Sequence, residues 1–159
     1  MAWFTRKKPP VEGGPEGERH VKTEGLWQKC DGCGQIVWRK TLDENSLVCP
    51  KCDYHFRVDA PTRLAMLFDD GKYDVHEPGM SSTDPLHFVD AKPYQDRLAA
   101  MVKAGHRDAV VSATGKLAGR TVNICALELK FIGGSMGTVM GEKITRAIER
   151  SIEHKSPLV

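Results

Sequence analysis

From residue 26 onward the apolar positions fall into short blocks whose spacing changes several times, and each change predicts an element. Residues 35–39 and 46–48 read as two short strands joined by the polar turn Asp43-Glu44-Asn45. Asp59-Ala60-Pro61-Thr62 has the form of a helix start, and Leu64, Leu67 and Phe68 recur at helical spacing until Gly71. Residues 72–77 alternate as a short strand, and 78–85 form a loop. From Pro93 a helix carries Tyr94, Leu98, Met101 and Val102 on one side and Gln95, Asp96, Arg97 and Lys103 on the other, closing at Gly105. The period then becomes two. Residues 109–115 and 120–129 flank 116–119, predicting a hairpin that leads into a longer, largely buried strand.

That strand runs into Phe131-Ile132-Gly133-Gly134-Ser135-Met136-Gly137, and a helix follows. Ile144, Ala147, Ile148 and Ile152 share one face, whereas Glu142, Arg146, Glu149, Arg150 and Glu153 are expected to meet water. Lys155 falls in the last turn, Pro157 forbids continuation, and Leu158-Val159 read as the first residues of a new strand. The expectation is therefore a fragment of a longer protein, with an open strand edge and uncovered apolar surface that includes the Ile144, Ile148 and Ile152 face.

Composition adds bounds rather than identity. The 159 residues are 40% hydrophobic, and 23 Lys and Arg stand against 21 Asp and Glu, a net charge of +2 that does not argue for a strongly polyanionic partner. No apolar run approaches a membrane span. Residues 5–25 combine Pro, Gly and charge with almost nothing to bury, so residues 1–25 are expected to be a disordered tether, with Trp3-Phe4 as an end that docks on a partner.

The strongest chemical signal is Cys30-Asp31-Gly32-Cys33, fifteen residues, then Cys49-Pro50-Lys51-Cys52. Two Cys-x-x-Cys pairs at this separation fit a four-cysteine zinc ribbon spanning 26–58, with Gly32, Gly34 and Pro50 supplying the turns. A disulfide scaffold would need a secretory leader, and the first eight residues have no apolar core to serve as one. A thioredoxin-like site uses a single pair. One structural zinc per chain and reduced cysteines point to the cytoplasm. His55 is expected at the surface, and Cys125, in an apolar run, as a small buried residue.

Residues 133–137 match G-x-S-x-G, the nucleophile elbow, in a suitable strand-turn-helix context. His154 and the later acids Glu142, Glu149 and Glu153 all lie on the helix that Ser135 precedes, so no triad closes. A phosphate loop is excluded because Glu142 displaces the lysine after Gly141. Two readings stay open. Gly133, Gly137 and Gly141, four apart, would form a helical groove for a close backbone, or small residues leave main-chain N–H groups free for an anion or enolate oxygen.

Leu26-Trp27-Gln28-Lys29 before the first cysteine pair, residues 48–55, Tyr94-Gln95-Asp96-Arg97-Leu98 and residues 131–137 together resemble the β subunit of bacterial-type acetyl-coenzyme A carboxylase carboxyltransferase, from about Leu26 to Val159. The resemblance implies an α/β fold class: an N-terminal four-cysteine zinc ribbon followed by the first part of a crotonase-like (ClpP/crotonase) domain over 59–159. It implies transfer of a carboxyl group from carboxybiotin on the biotin carboxyl carrier protein to acetyl-CoA, giving malonyl-CoA for fatty acid synthesis. Biotin enters only on that carrier. The implied partners are a carboxyltransferase α subunit in an α2β2 assembly, the carrier protein and biotin carboxylase. Gly133, Gly134, Ser135 and Gly137 become candidates for the coenzyme A side of the site. A second glycine-rich turn, where the family's clearest oxyanion donors are expected, lies past Val159, so no catalytic side chain is assigned.

A zinc ribbon also suits a nucleic-acid module. Lys22, Lys29, Arg39, Lys40, Lys51 and Arg57 would meet phosphates, and Trp27, Trp38 and Tyr54 would stack on bases. Asp31, Asp43, Glu44 and Asp53 dilute that charge, which makes this the alternative reading.

Overall fold

The computed structural model describes residues 25–159. The expected tether, its Trp3-Phe4 end and Lys22 lie outside the described residues.

The chain begins with an antiparallel pair, β1 (Trp27–Lys29) and β2 (Ile36–Trp38), with Trp27 opposite Trp38 and Lys29 opposite Ile36. Val37 points inward, whereas Trp27, Ile36 and Trp38 are exposed on the other face. The expected second strand of the ribbon is not formed. Helix α1 (Arg39–Glu44) occupies the place of the predicted turn, because Arg39–Asp43 and Lys40–Glu44 are i,i+4 ion pairs and Leu42 is fully buried beneath them. Ser46 and Leu47 then take left-handed backbone angles, φ 53° and 59°, which no strand tolerates, so only Val48 bridges to another segment, at His55. Val37, Leu42 and Leu47 form the small apolar centre with Tyr54, Phe56 and Val58, and Tyr54 meets Phe56 edge-on at 5.3 Å.

Helix α2 (Ala60–Leu67) starts where the sequence predicts. Asp59 caps it by accepting from the Thr62 N–H at 3.0 Å, and Pro61 sits in the first turn, where a missing N–H costs nothing. The Ala60 N–H donates to the buried Glu128 carboxylate at 3.2 Å, tying the helix start to a residue 68 positions away. A short 3-10 turn at Asp69–Gly71 follows, then β3 (Tyr73–His76). Helix α3 (Tyr94–Lys103) buries Leu98, but Val102 is exposed. Strands β4 (Val110–Leu117) and β5 (Arg120–Leu127) form the predicted hairpin, and the sheet has the order β3-β4-β5, antiparallel throughout. At its tip Ala118 and Gly119 both have positive φ, the signature of a type I′ turn, and the Asp69 carboxylate accepts from their two N–H groups at 2.9 and 2.8 Å.

The sheet is sandwiched. Ala113, Val122, Ile124 and Ala126 pack under Ala60, Leu64 and Phe68 of the α2 side. The alternate residues face helix α4 (Thr138–Glu153). Of the α4 face expected to be uncovered, Ile148 and Ile152 are 44% and 72% exposed and Ile144 is half-buried; the buried residues are Met140, Lys143, Ala147 and Ser151, and Arg150, expected to meet water, turns to the sheet instead. The α4 side of the sheet is polar, and this turns the helix. Asn123 Nδ2 donates to Ser151 Oγ at 2.8 Å and to Ser156 Oγ at 2.9 Å, while Arg150 donates to Glu77 Oε1 at 2.7 Å and Ser112 Oγ at 2.8 Å. Ala147, fully buried, lets the backbones approach. Met140 and Ile144 instead join a third cluster with Leu98, Val110 and Phe131. As expected, a parallel partner begins beside β5: Leu158 bridges Asn123, and the Cys125 N–H donates to Val159 O at 2.9 Å. Cys125 is half-buried rather than enclosed, and burial raises its thiol pKa, which disfavours the thiolate.

Candidate metal centre and glycine turn

The two Cys-x-x-Cys segments fold into matching knuckles. The Gly34 N–H donates to Cys30 O at 2.8 Å and the Asp53 N–H to Cys49 O at 3.0 Å, so the residue four past each leading cysteine closes its turn. Both closing residues are left-handed, φ 72° at Gly34 and 59° at Asp53. Gly32 has a separate reason: a methyl there would stand 2.9 Å from Tyr54 Cβ, so its absence lets the second knuckle close on the first.

The sulfurs of Cys30, Cys33, Cys49 and Cys52 all lie within 4.8 Å of one another. Cys30 to Cys52 is 3.7 Å and Cys33 to Cys49 is 3.9 Å. Zinc bound tetrahedrally by four thiolates at about 2.3 Å separates the sulfurs by about 3.8 Å, so the set fits one zinc ion. The cysteines are free, at nearly twice the roughly 2.05 Å of a disulfide. Their acidities diverge: the Lys51 N–H leads the effects that bring Cys49 down to about 7. At Cys52 the Tyr54 N–H favours the thiolate, but burial and the neighbouring sulfurs push the thiol up to about 12. Thiolates packed this closely would repel one another, and a divalent cation among them offsets that repulsion. His55 is exposed and outside this cluster.

The glycine stretch is not a helix. Ile132–Gly134 is a short 3-10 turn, with φ 44°, 68° and 81° at its three residues, and Gly137 precedes α4 in extended conformation. This removes the helical-groove reading, since nothing lies within 4 Å of a methyl built at Gly133 or Gly141. Ser135 is exposed, and His154 caps the far end of the 16-residue α4, about 24 Å away at 1.5 Å per residue. His154 therefore cannot serve Ser135, and no triad closes along this helix. What stays is the N-terminus of α4, which has no capping side chain and no acid in its first turn, so no side chain takes up its first N–H groups, and Gly137 and Thr138 at its head are exposed.

Two features escaped sequence reasoning. Glu128, 3% exposed, ties the start of α2 to the stretch after β5 by accepting from Ala60 N and, at 3.0 Å, from Lys130 N. Between ribbon and body lies a cleft of about 620 Å³ bordered by Arg39, Arg57 and Lys130. Of the stacking and phosphate set for nucleic acid, Trp27 and Trp38 are exposed on one face, but the rest is only partly presented. Tyr54 is half-buried against Gly32 and Phe56, and Arg39 and Lys40 are paired with Asp43 and Glu44.

Residues 27–52 match the acetyl-CoA carboxylase zinc finger domain and residues 86–159 the carboxyl transferase domain. Relatives named acetyl-coenzyme A carboxylase carboxyl transferase subunit beta are 44% identical in Citrifermentans bemidjiense and 42% in Chlorobaculum tepidum, each over 160 aligned residues and 100% of this chain. The chain spans 56% of their length. A crystal structure of transcarboxylase 12S with hydrolyzed methylmalonyl-coenzyme A bound matches 75% of this chain and 19% of its own, with TM-score 0.50 and 20% identity, a likeness of fold. The ribbon is thus a regular part of such architectures and not the mark of a separate nucleic-acid module.

Proposed function

The chain belongs to the acetyl-coenzyme A carboxylase carboxyl transferase β-subunit family, and on that premise we propose that its protein transfers the carboxyl group of carboxybiotin to acetyl-CoA, giving malonyl-CoA. The observation that carries the chemistry is the free N-terminus of α4 at the glycine turn. Carboxyl transfer removes a proton beside the thioester carbonyl, the enolate carbon bonds to the carboxyl carbon as the bond from biotin nitrogen to that carbon breaks, and in net the proton ends on that nitrogen. Negative charge grows on the thioester oxygen as the proton leaves, and main-chain N–H groups aimed at it stabilise that charge without a cationic side chain. Gly133, Gly134, Ser135 and Gly137 would line this part of the coenzyme A side, with the small residues admitting the thioester to the backbone.

In this reading Cys30, Cys33, Cys49 and Cys52 hold one zinc that folds the ribbon over 26–58, and residues 59–159 supply the N-terminal part of the crotonase-like domain. The zinc is structural: four thiolates fill its tetrahedron and leave no open position for substrate. The assembly is α2β2 with a carboxyltransferase α subunit, biotin arrives on its carrier protein after biotin carboxylase has loaded it, and the setting is cytoplasmic fatty acid synthesis. No helix among the described residues is long and apolar enough to cross a membrane.

The test is carboxyl transfer by the natural full-length chain with its α partner, followed as malonyl-CoA formation from acetyl-CoA and carboxylated carrier. Activity is expected, with a loss of at least tenfold in Gly134→Val, which forces a branched side chain onto φ 81°, and little change in Ser135→Ala. Absence of acyl-CoA-dependent transfer, or a large loss with Ser135→Ala alone, would overturn it.

A further inference from the structure

Lys143 is the least expected member of the core. Its side chain is 6% exposed and that of Asp108 1%, with Nζ 3.9 Å from Asp108 Oδ2 and 3.4 Å from the Val110 carbonyl. Asp108 Oδ1 accepts from Ser82 Oγ at 2.8 Å, while Oδ2 has no hydrogen-bond partner and faces the ammonium alone. The Ser82 N–H donates to Arg107 O at 3.2 Å, and Ser81 Oγ donates to the same carbonyl at 3.3 Å, so this loop is stapled beside Asp108. Ser82 Oγ is also the one neighbour of Gly137: a methyl built there would lie 3.9 Å from it. Contacts thus run from Lys143 to Asp108 to Ser82, whose hydroxyl stands near Gly137 at the head of the same helix, six residues upstream of Lys143.

A buried ion pair is a poor source of stability, because desolvation of both charges offsets their attraction; what such a pair can fix is geometry. Burial holds the Lys143 pKa below its ordinary range, against the opposing pull of Asp108. An apolar residue at 143 would fill the space beside Met140 and Ala147 without that cost, yet would not grip the loop across the gap.

We propose that Asp108 and Lys143 are positioning residues that hold the first two turns of α4, and with them the glycine turn and its free N–H groups, in the orientation that receives the acyl-CoA thioester. The inference rests on the reading of that turn given above and adds the device that orients it.

The experiment uses the natural full-length chain assembled with its partner subunit, in the variants Lys143→Met, Lys143→Arg and the double variant Asp108→Leu with Lys143→Met. Steady-state rates against acetyl-CoA are read beside thermal midpoints and hydrogen exchange at residues 134–139. Lys143→Met should lower kcat/KM for acetyl-CoA at least tenfold and speed exchange in the turn, and Lys143→Arg should restore both to within about threefold. The double variant, with no orphaned buried charge, should regain most of the thermal midpoint while kcat/KM stays low. Recovery of kcat/KM in step with the midpoint would reduce the pair to structural support and overturn the proposal. Should the parent protein show no acyl-CoA turnover, the functional reading fails by itself. Exchange in the turn then decides the positioning claim: rates unmoved by Lys143→Met, or moved equally across β4 and β5, overturn it.

Discussion

Replacing Gly115 by alanine is expected to loosen the grip of α2 on the sheet. Gly115 lies on the central strand β4, and its missing side chain is filled by Phe68: a methyl there would stand 2.5 Å from Cδ1 and 2.8 Å from Cε1 and Cγ of that ring. Carbon atoms pack at about 3.5–4.0 Å, so the ring must retreat by about 1 Å. It has nowhere easy to go, being 3% exposed and stacked at 5.6 Å on Tyr73. Overpacking of this kind costs about 1–3 kcal/mol, and alanine returns about 0.4–1 kcal/mol by stiffening the unfolded chain, because the φ of Gly115 is not left-handed. A net loss of about 1–2 kcal/mol should lower the thermal midpoint by roughly 3–6 °C for a chain of this size. Urea unfolding of Gly115→Ala, Phe68→Leu and the pair provides the assay. The smaller side chain should accept the methyl, so the double variant should be more stable than the sum of the singles by about 1 kcal/mol. A neutral or stabilising Gly115→Ala, or strict additivity in the pair, would refute the reasoning.

Cys49→Ser should abolish the bound zinc, about one per chain, measured by metal analysis. Residues 27–56 should then lose their protection from hydrogen exchange, since a structural zinc contributes an apparent ~10–16 kcal/mol. Asp59→Ala should cost about 1–2 kcal/mol by removing the α2 cap and the exposed 2.9 Å pair with Lys130, whereas Asp59→Asn, which still caps, should cost much less. Thr62 and then Lys130 hold the Asp59 carboxyl down to about 2, against 3.8 ordinarily. Its contribution is therefore whole above about pH 4 and lost as pH falls through 2, so parent and Asp59→Ala urea midpoints should converge over that interval. Ile152→Glu should leave the midpoint within about 0.5 kcal/mol, but Ala147→Leu should cost about 1–3 kcal/mol, reversing what hydrophobicity alone suggests.

The elements most legible in the sequence were those fixed by local chemistry. Asp59-Ala60-Pro61 specifies a helix start, the period-two blocks specify β4 and β5, and two spaced Cys-x-x-Cys pairs bring four sulfurs together. Elements fixed by distant partners were not legible. Helix α1 depends on Leu42 finding Val37 and Leu47, and the strand expected at 46–48 gives way to left-handed Ser46 and Leu47. The polar side by which α4 meets the sheet was not legible, because nothing local reveals that Ser112, Asn123 and Asp108 wait on the sheet side for Ser151, Arg150 and Lys143. The glycine turn was located correctly, but its two readings separated only once the backbone angles placed it before the helix rather than within it.

The Asp69 carboxylate that grips the N–H groups of Ala118 and Gly119 has a consequence for how the molecule meets proteases. Hairpin tips are ordinarily preferred cleavage points, since a protease must draw several residues of backbone into its own cleft. Here the tip is clasped to a segment 49 positions earlier, so opening it means releasing two charged hydrogen bonds at once. Among the described residues, limited digestion should therefore enter through the exposed stretch at 83–92 before the hairpin tip, and the two strands should emerge as one resistant core.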